Sequence, residues 1–184
     1  MAVNHADPWP RGRARDGGID EIPLDGAAGR LWLCGKHVVG PDPETALARV
    51  DATSILCFCE RHELADRYPD YVTWLDTTGE PRARWFPTPD LAVRPLDDHL
   101  ELIGRSVERL RSGERLVAHC AAGIGRSGTF AVGVLLALGH DLDPALQLVA
   151  RHRPMAGPEV GSQSELVVAV AGRYRADGRR QAER

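Results

Sequence analysis

The stretch that decides the fold reads HCAAGIGRSGT and runs from His119 to Thr129. It lies between an apolar run that ends at Ala118 and a helical pattern from Phe130 to Leu138. This order predicts a strand, a tight loop and a helix, so that the loop amides and the positive end of the helix dipole surround one point. We expect that point to bind a dianion.

Two side chains in this stretch carry chemistry. Cys120 enters the field of the amides and the helix, which favours the thiolate, the nucleophilic form of cysteine. Arg126 presents a planar guanidinium that can bind two oxygens of one phosphate group. Gly123 and Gly125 allow the backbone to bend with its amides inward, because glycine tolerates positive φ and close approach. The chemistry that fits these residues is attack of sulfur on phosphorus.

The stretch resembles the signature His-Cys-x5-Arg-Ser/Thr of the cysteine-dependent protein tyrosine and dual-specificity phosphatases. His119, Cys120, the triplet Gly123–Gly125 and the run Arg126–Thr129 all agree with it. The resemblance implies a phosphate-binding loop that consists of Ala121, Ala122, Gly123, Ile124, Gly125 and Arg126. It also implies that Ser127 donates a hydrogen bond to the Cys120 thiolate as it leaves, and that His119 fixes the loop. Two alternatives are a buried cysteine in a glycine-rich turn and a rhodanese-like sulfur carrier.

A phosphocysteine mechanism needs an acid to protonate the departing alkoxide or phenoxide, and then a base to activate water. The segment Trp85–Leu91 resembles the acid loop of the same superfamily, in which an Asp follows an aromatic-Pro-x-Pro sequence upstream of the cysteine. The resemblance makes Asp90 the general acid. Asp97 and Asp98 compete with it, but they follow Pro95 at the start of a helical pattern. They are more simply explained as first-turn acids that complement the helix dipole.

Two further residues are candidates for supporting roles. Gln163 follows an Arg153-Pro154 pair that members of the superfamily often carry, and it could orient the hydrolytic water or be an early polar residue of the last helix. Strand alternation places Cys57 and Cys59 on one face. The segment Cys59–His62 resembles the phosphatase and tensin homologue branch, where a cysteine near this strand end can form a disulfide with the catalytic one. Cys59 is thus a candidate redox partner of Cys120, with Cys57 second, unless both are small core residues.

Composition bounds the class of protein. With 184 residues, 43% hydrophobic content and a formal net charge of −3, the chain suits one compact domain that needs neither disulfides nor metal. The near-neutral charge argues against nucleic-acid binding. The four cysteines show neither metal-ligand spacing nor a secreted framework. With no apolar stretch of about eighteen residues and no signal-peptide core, we expect a cytoplasmic monomer that acts away from membranes without a cofactor. The excess of arginine over the single lysine suggests a bacterial genome.

The chain divides into three predicted parts: a loose segment at 1–28, a phosphatase domain at 29–175 and a polar tail at 176–184. Hydrophobic patterns predict strands at 31–34, 53–59, 71–75 and 83–86, and helices at 43–50, 60–68, 96–111, 144–151 and 162–174. This alternation predicts an α/β fold with a mainly parallel central sheet flanked by helices. The phosphate loop then lies at the carboxyl end of a central strand.

These features predict a metal-independent protein phosphatase that hydrolyses phosphotyrosine, with activity on phosphoserine and phosphothreonine left open. The small size of the chain favours the compact dual-specificity and bacterial branches, whereas the sequence Gly-Ile-Gly-Arg-Ser-Gly favours the tyrosine-specific branch. One alternative is a catalytically silent module that binds phosphoproteins. Another is a phosphoinositide phosphatase, which is disfavoured because Ala121, Ala122 and Ile124 supply no basic side chain to the loop.

Overall fold

A computed structural model describes residues 18–182 of the chain, with side chains described through residue 176. The strands in this range are β1 (Asp20–Ile22), β2 (Arg30–Gly35), β3 (Ser54–Cys57), β4 (Ala83–Trp85) and β5 (Arg115–Cys120). They form one sheet in the spatial order β1-β2-β5-β3-β4. Only the pairing of β1 with β2 is antiparallel among these described strands. The predicted α/β fold with a mainly parallel sheet is therefore confirmed.

Helices cover both faces of the sheet. One face packs against α1 (Lys36–Val39), α2 (Pro43–Arg49), α3 (Arg61–Ala65) and α4 (Pro69–Thr78). The other packs against α5 (Leu96–Arg111), α6 (Gly125–Ala137), α7 (Leu142–His152) and α8 (Gly161–Ala182). Because successive strand residues point to opposite faces, the two faces bury separate core clusters.

Strand β5 occupies the middle of the sheet and explains where the loop of interest lies. Its apolar residues are buried on both faces, with Val117 in one cluster and Leu116 and Ala118 in the other. Such a continuous apolar run is typical of a parallel strand covered on both sides. The register pairs Gly35 of β2 with Cys120, so the carboxyl ends of the two parallel strands meet at one edge of the sheet.

The structure corrects the prediction of a strand at 71–75. This segment belongs to α4, whose buried residues Tyr71, Val72 and Leu75 follow helical spacing. Pro69 occupies the first turn of that helix, where its missing N–H has no intrahelical partner to lose. The predicted helix at 60–68 is shorter than expected, because α3 ends at Ala65.

The predicted boundaries also change at both ends of the domain. Strand β1 lies inside the segment 1–28 that was expected to be loose, and its Asp20 and Ile22 are buried. Residues 1–17 of that segment lie outside the described residues. At the other end, α8 continues to Ala182, past the predicted start of the tail at 176. None of the helices in the described chain combines the length and the apolarity needed to cross a bilayer.

Candidate active site

Cys120 is the last residue of β5, and its side chain is almost fully buried at the start of the loop that leads to α6. The Gly123 N–H donates a hydrogen bond to its Sγ at 3.2 Å. The Ser127 Oγ, in the first turn of α6, lies 3.4 Å from the same sulfur. An amide and a hydroxyl therefore face the sulfur, and both can donate to it when it carries negative charge.

The loop conformation depends on glycine at two positions. Gly123 has a φ of +73°, and a Cβ there would collide with the carbonyl of Cys34 on β2. Gly128 lies in α6, where a Cβ would collide with the backbone of Gly157. Any larger residue at either place would strain the backbone or push the neighbouring segment away. The close approach of these segments brings the loop, β2 and the chain after α7 together.

Arg153 binds the backbone carbonyls of the loop that follows Cys120. Its side chain is almost fully buried, and its guanidinium donates to the carbonyls of Ala122, at 2.8 Å, and Gly123. It also donates to the Leu33 carbonyl at 3.1 Å and forms an ion pair with Asp20 of β1. Because these carbonyls turn towards Arg153, loop amides such as that of Gly123 are free to turn towards Cys120.

Arg126 extends from the first turn of α6 and is only 2% exposed. Its Nη1 donates to the Thr88 carbonyl at 2.7 Å, and its two Nη atoms bind the carboxylate of Glu63. Burial alone would lower the pKa of the guanidinium, but hydrogen bonding to Glu63 and nearby negative charge raise that pKa overall. Its Nε is buried without a hydrogen-bond partner among the described residues, so one donor remains for an anion.

Glu63 lies on α3 and was not predicted as a site residue. Its carboxylate accepts Arg126 Nη1 at 2.7 Å and Nη2 at 2.8 Å, and it also accepts the Glu60 N–H at 2.9 Å. Burial would raise the pKa of this carboxyl, but these hydrogen bonds outweigh burial and hold the pKa below its usual value. The Lys36 Nζ donates to the Glu63 carbonyl at 2.7 Å, which ties α3 to the residue that follows β2.

Asp90 lies at the exposed tip of the loop that follows β4. Its side chain is 64% exposed, and its Oδ1 lies 3.1 Å from Arg126 Nη2. The structure therefore brings Asp90 to Arg126, at the end of the loop that follows Cys120. The two competing acids lie elsewhere: Asp98 pairs with Arg94, and Asp97 is 90% exposed on α5 near Arg173.

Solved structures with the same architecture include tyrosine and dual-specificity phosphatases. Tk-PTP in its active form is 26% identical, with a TM-score of 0.63 over 84% of this chain and 97% of that chain. The fold is that of the tyrosine and dual-specificity phosphatases.

Two more distant structures have the same fold. The kinase associated phosphatase, with its catalytic-site cysteine replaced by serine, is 21% identical, with a TM-score of 0.72 over 86% of this chain and 96% of its own. A human tyrosine phosphatase-like serine/threonine/tyrosine-interacting protein is 18% identical, with a TM-score of 0.61 over 86% and 95%. No family model matches the sequence, and no curated protein matches it significantly.

His119 is fully buried and, as the residue before Cys120 in β5, lies on the opposite face of the strand from it. Its Nε2 lies 2.6 Å from the Tyr71 hydroxyl of α4, and its Nδ1 lies 3.3 Å from the Cys120 carbonyl. Burial raises the pKa of Tyr71, so its hydroxyl stays protonated and can donate to the imidazole. This chain of contacts supports the backbone of Cys120 from α4.

Three residues near the carboxyl ends of β3 and β5 could offer ligands to a metal ion. One ligand atom each of Cys57, Cys59 and His119 lies within 4.8 Å of the others, and all three residues are buried. Both ring nitrogens of His119, however, already contact Tyr71 and the Cys120 carbonyl. A metal at this place would have to displace one of these contacts, so the cluster fits a packed core better than a metal site.

Gln163 packs beside the loop from the start of α8 and is 1% exposed. Its Oε1 accepts the Glu159 N–H at 2.8 Å and would lie 3.2 Å from a Cβ at Gly125. Its Nε2 is buried without a hydrogen-bond partner in the described part of the chain. The structure thus places Gln163 next to the loop between Cys120 and Arg126, with its amide nitrogen uncommitted.

Proposed function

We propose that this protein is a protein phosphatase that hydrolyses phosphotyrosine through a phosphocysteine intermediate, with weaker activity on phosphothreonine and phosphoserine. The observation that carries the proposal is the surroundings of the Cys120 sulfur. It lies 3.2 Å from the Gly123 amide nitrogen and 3.4 Å from the Ser127 hydroxyl. On the same loop, Arg126 is paired with the carboxylate of Asp90.

In the first step, the Cys120 sulfur attacks phosphorus and forms the S–P bond as the bond from phosphorus to the ester oxygen breaks. The leaving oxygen takes a proton from Asp90. The loop amides and Arg126, whose Nε is an uncommitted donor, bind the other phosphate oxygens. A bound phosphate dianion would compete with Asp90 for Arg126, which would release the carboxyl group to face the leaving oxygen.

In the second step, Asp90 takes a proton from water, and the water oxygen attacks phosphorus. The S–P bond breaks, inorganic phosphate leaves, and Ser127 donates a hydrogen bond to the departing thiolate. The Nε2 of Gln163 is a buried donor beside the loop and would orient this water. No step needs a metal ion or a redox cofactor.

The choice of a phosphotyrosine substrate rests on the lining of the loop. Ala121, Ala122 and Ile124 are uncharged, so the loop offers an apolar surface to an aromatic ring and no side-chain cation for a further phosphate. Trp85 and Phe86 precede Asp90 and provide aromatic surface at the base of its loop. This lining disfavours a polyphosphorylated inositol headgroup, which needs several cations.

A direct comparison of substrates tests the proposal. Phosphotyrosine, phosphothreonine and phosphoserine peptides with one flanking sequence, and a vesicle-borne inositol phospholipid, are assayed for kcat/KM in the presence of a metal chelator. We expect the phosphotyrosine peptide to be hydrolysed fastest and Cys120→Ser to abolish turnover while still binding inorganic phosphate. Faster hydrolysis of the lipid or of phosphoserine would overturn the substrate assignment. Phosphopeptide binding without turnover by the wild-type protein would point to the silent binding module.

A further inference from the structure

The loop that carries Asp90 is anchored to the sheet at its beginning. The Phe86 N–H donates to the Cys57 carbonyl at 2.8 Å, and the Thr88 N–H donates to the Phe58 carbonyl at 3.0 Å. The Thr88 carbonyl in turn accepts Arg126 Nη1 at 2.7 Å. Residues 86–88 are therefore fixed before the chain reaches Asp90.

The tip of this loop is not held by burial. Asp90 is 64% exposed on its side chain, and the next residue, Leu91, is 53% exposed. Leu91 has a φ of +55°, a left-handed conformation that is unfavourable for a residue with a Cβ. A conformation of this kind persists only when contacts elsewhere impose it. The position of Asp90 thus depends on how the end of the loop is held.

Arg94 holds that end. Its guanidinium lies over the Phe86 ring, 4.6 Å from the ring centroid, and its Nη1 approaches the Pro87 carbonyl at 3.5 Å. Its Nε and Nη2 donate to one carboxylate oxygen of Asp98 at 3.1 and 2.9 Å. Arg94 therefore connects the last part of the loop to its first part and to the first turn of α5.

His99 supports the same arrangement from the helix. Its ring nitrogen Nε2 accepts the Arg94 N–H at 3.3 Å, and its ring meets the Phe86 ring edge-on with centroids 5.4 Å apart. Burial lowers the pKa of His99 to about 4, so the ring is a neutral acceptor near neutral pH. The backbone and the side chain of Arg94 are thus held by two consecutive residues of α5.

We propose that Arg94 and Asp98 are positioning residues that latch the acid loop in the conformation that presents Asp90 to the leaving oxygen. This inference rests on the proposed function, because it assigns a purpose to the loop only if Asp90 is the general acid. It also gives a role to Asp98, which the sequence offered as a competing acid. Asp98 acts on Asp90 through Arg94 and donates no proton itself.

The test compares two leaving groups. Phenyl phosphate has a poor leaving group that needs protonation, whereas 2,4-dinitrophenyl phosphate has a good one that does not. The comparison uses kcat/KM, because this constant ends at departure of the leaving group and excludes the second step, in which Asp90 acts as a base on either ester. For Asp98→Ala we expect kcat/KM on phenyl phosphate to fall about fivefold, as loss of one partly exposed ion pair allows. For Arg94→Ala, which also loses the stacking on Phe86, we expect a fall of about tenfold or more. Neither variant should change kcat/KM on the dinitrophenyl ester or the inhibition constant of inorganic phosphate.

Asp97→Ala is the matched control. It removes a carboxylate from the same first turn of α5, with the same loss to the helix dipole, but Asp97 is 90% exposed and pairs weakly with Arg173 at 3.9 Å. We expect wild-type kinetics from it on both esters. An Asp98→Ala variant that matches this control, or that loses kcat/KM equally on both esters, would overturn the latch. Asp90→Ala is assayed beside Asp98→Ala to separate two kinds of failure. If only the latch is wrong, Asp90→Ala still loses activity on phenyl phosphate. If the proposed function is wrong, Asp90→Ala also retains wild-type rates.

Discussion

Arg126 and Glu63, which are 63 residues apart in the sequence, form a bidentate ion pair, with Nη1 to Oε2 at 2.7 Å and Nη2 to Oε1 at 2.8 Å. The side chain of Arg126 is 2% exposed and that of Glu63 is 11% exposed, so solvent screens the pair little. A carboxylate that binds both Nη atoms fixes the plane of the guanidinium. The orientation in which Arg126 would meet a phosphate is therefore set by a residue of α3.

Replacing Glu63 tests this control of Arg126. In Glu63→Gln one buried partner of the pair loses its charge, which typically costs a protein about 3–5 kcal/mol in the free energy of unfolding. We expect a loss in this range by urea denaturation, with weaker inhibition by inorganic phosphate in the protein that remains folded. Asp76→Asn is the control. It breaks the exposed ion pair between Asp76 of α4 and Arg61, which lies on α3 with Glu63, and should cost less than about 1 kcal/mol. Equal phosphate inhibition in wild type and Glu63→Gln would show that Glu63 does not orient Arg126.

The contact between Arg153 and Asp20 predicts a strong coupling between β1 and the loop that follows Cys120. Arg153→Met leaves the Asp20 carboxylate buried without its cation and leaves the carbonyls of Ala122 and Gly123 without their donor. We expect the single variant to be less stable by about 3–5 kcal/mol. Asp20→Asn combined with Arg153→Met should lose less than the sum of the two single variants, with a coupling energy of about 1–3 kcal/mol by urea denaturation. Strict additivity would mean that the pair does not act as a unit.

The sequence predicted the parts of the site that are local and missed those that are assembled from distant segments. Cys120, Ser127 and Arg126 belong to one strand, loop and helix, and the structure brings the first two to 3.4 Å from each other. Glu63 carries a local signal only for its helix, since it forms a capping box with Glu60, and nothing in the sequence indicates its pairing with Arg126. The sequence shows Arg153 only as part of an Arg-Pro pair, and its contacts with the loop depend on the tertiary fold.

The wrong prediction for residues 71–75 has a similar cause. A short apolar and aromatic run is compatible with a strand or with a buried helix, and its neighbours decide which forms. Here α4 packs Tyr71 beneath β5, where its hydroxyl contacts His119. Strand β1 was missed because it has three residues and is fixed by pairing with β2 and by the Asp20 contact with Arg153.

The predicted redox link between Cys59 and Cys120 remains a prediction with a clear chemical test. Cys59 shares one core cluster with Cys57 and lies near His119, whereas Cys120 belongs to the other cluster. A hydrogen bond that the Cys59 thiol donates to Cys57, together with burial, raises the pKa of the Cys59 thiol, which slows its attack. Peroxide would first convert the Cys120 thiolate to a sulfenic acid, and Cys59 would then form the S–S bond with release of water. We expect peptide mapping to find this link after prolonged mild peroxide, and a dithiol to restore activity.

Cys59→Ser is the control for that experiment, and Cys57→Ser is its matched neighbour. We expect Cys59→Ser to recover less activity than wild type, because its sulfenic acid is left open to further oxidation, and Cys57→Ser to recover normally. If Cys59→Ser recovered as fully as wild type and the map contained no link, the redox role of Cys59 would be wrong.

The burial of His99 predicts how stability depends on pH. Its pKa is lowered from the usual 6.5 to about 4 in the folded protein, chiefly by burial. Between these two values the unfolded chain binds a proton that the folded protein does not, so the free energy of unfolding falls as the pH is lowered through this window. The stabilisation is fully present above pH 6.5 and is lost as the pH approaches 4. For this shift we expect a loss of about 2 kcal/mol between pH 7 and pH 5.

His99→Gln, which keeps an acceptor for the Arg94 N–H but does not titrate, should flatten that dependence in urea denaturation at both pH values. Carboxylates such as Glu63, whose pKa is held below its usual value, contribute in the same direction only at lower pH, so they do not mimic this effect above pH 5. Parallel stability curves for wild type and His99→Gln would mean that the folded protein accepts the proton at His99.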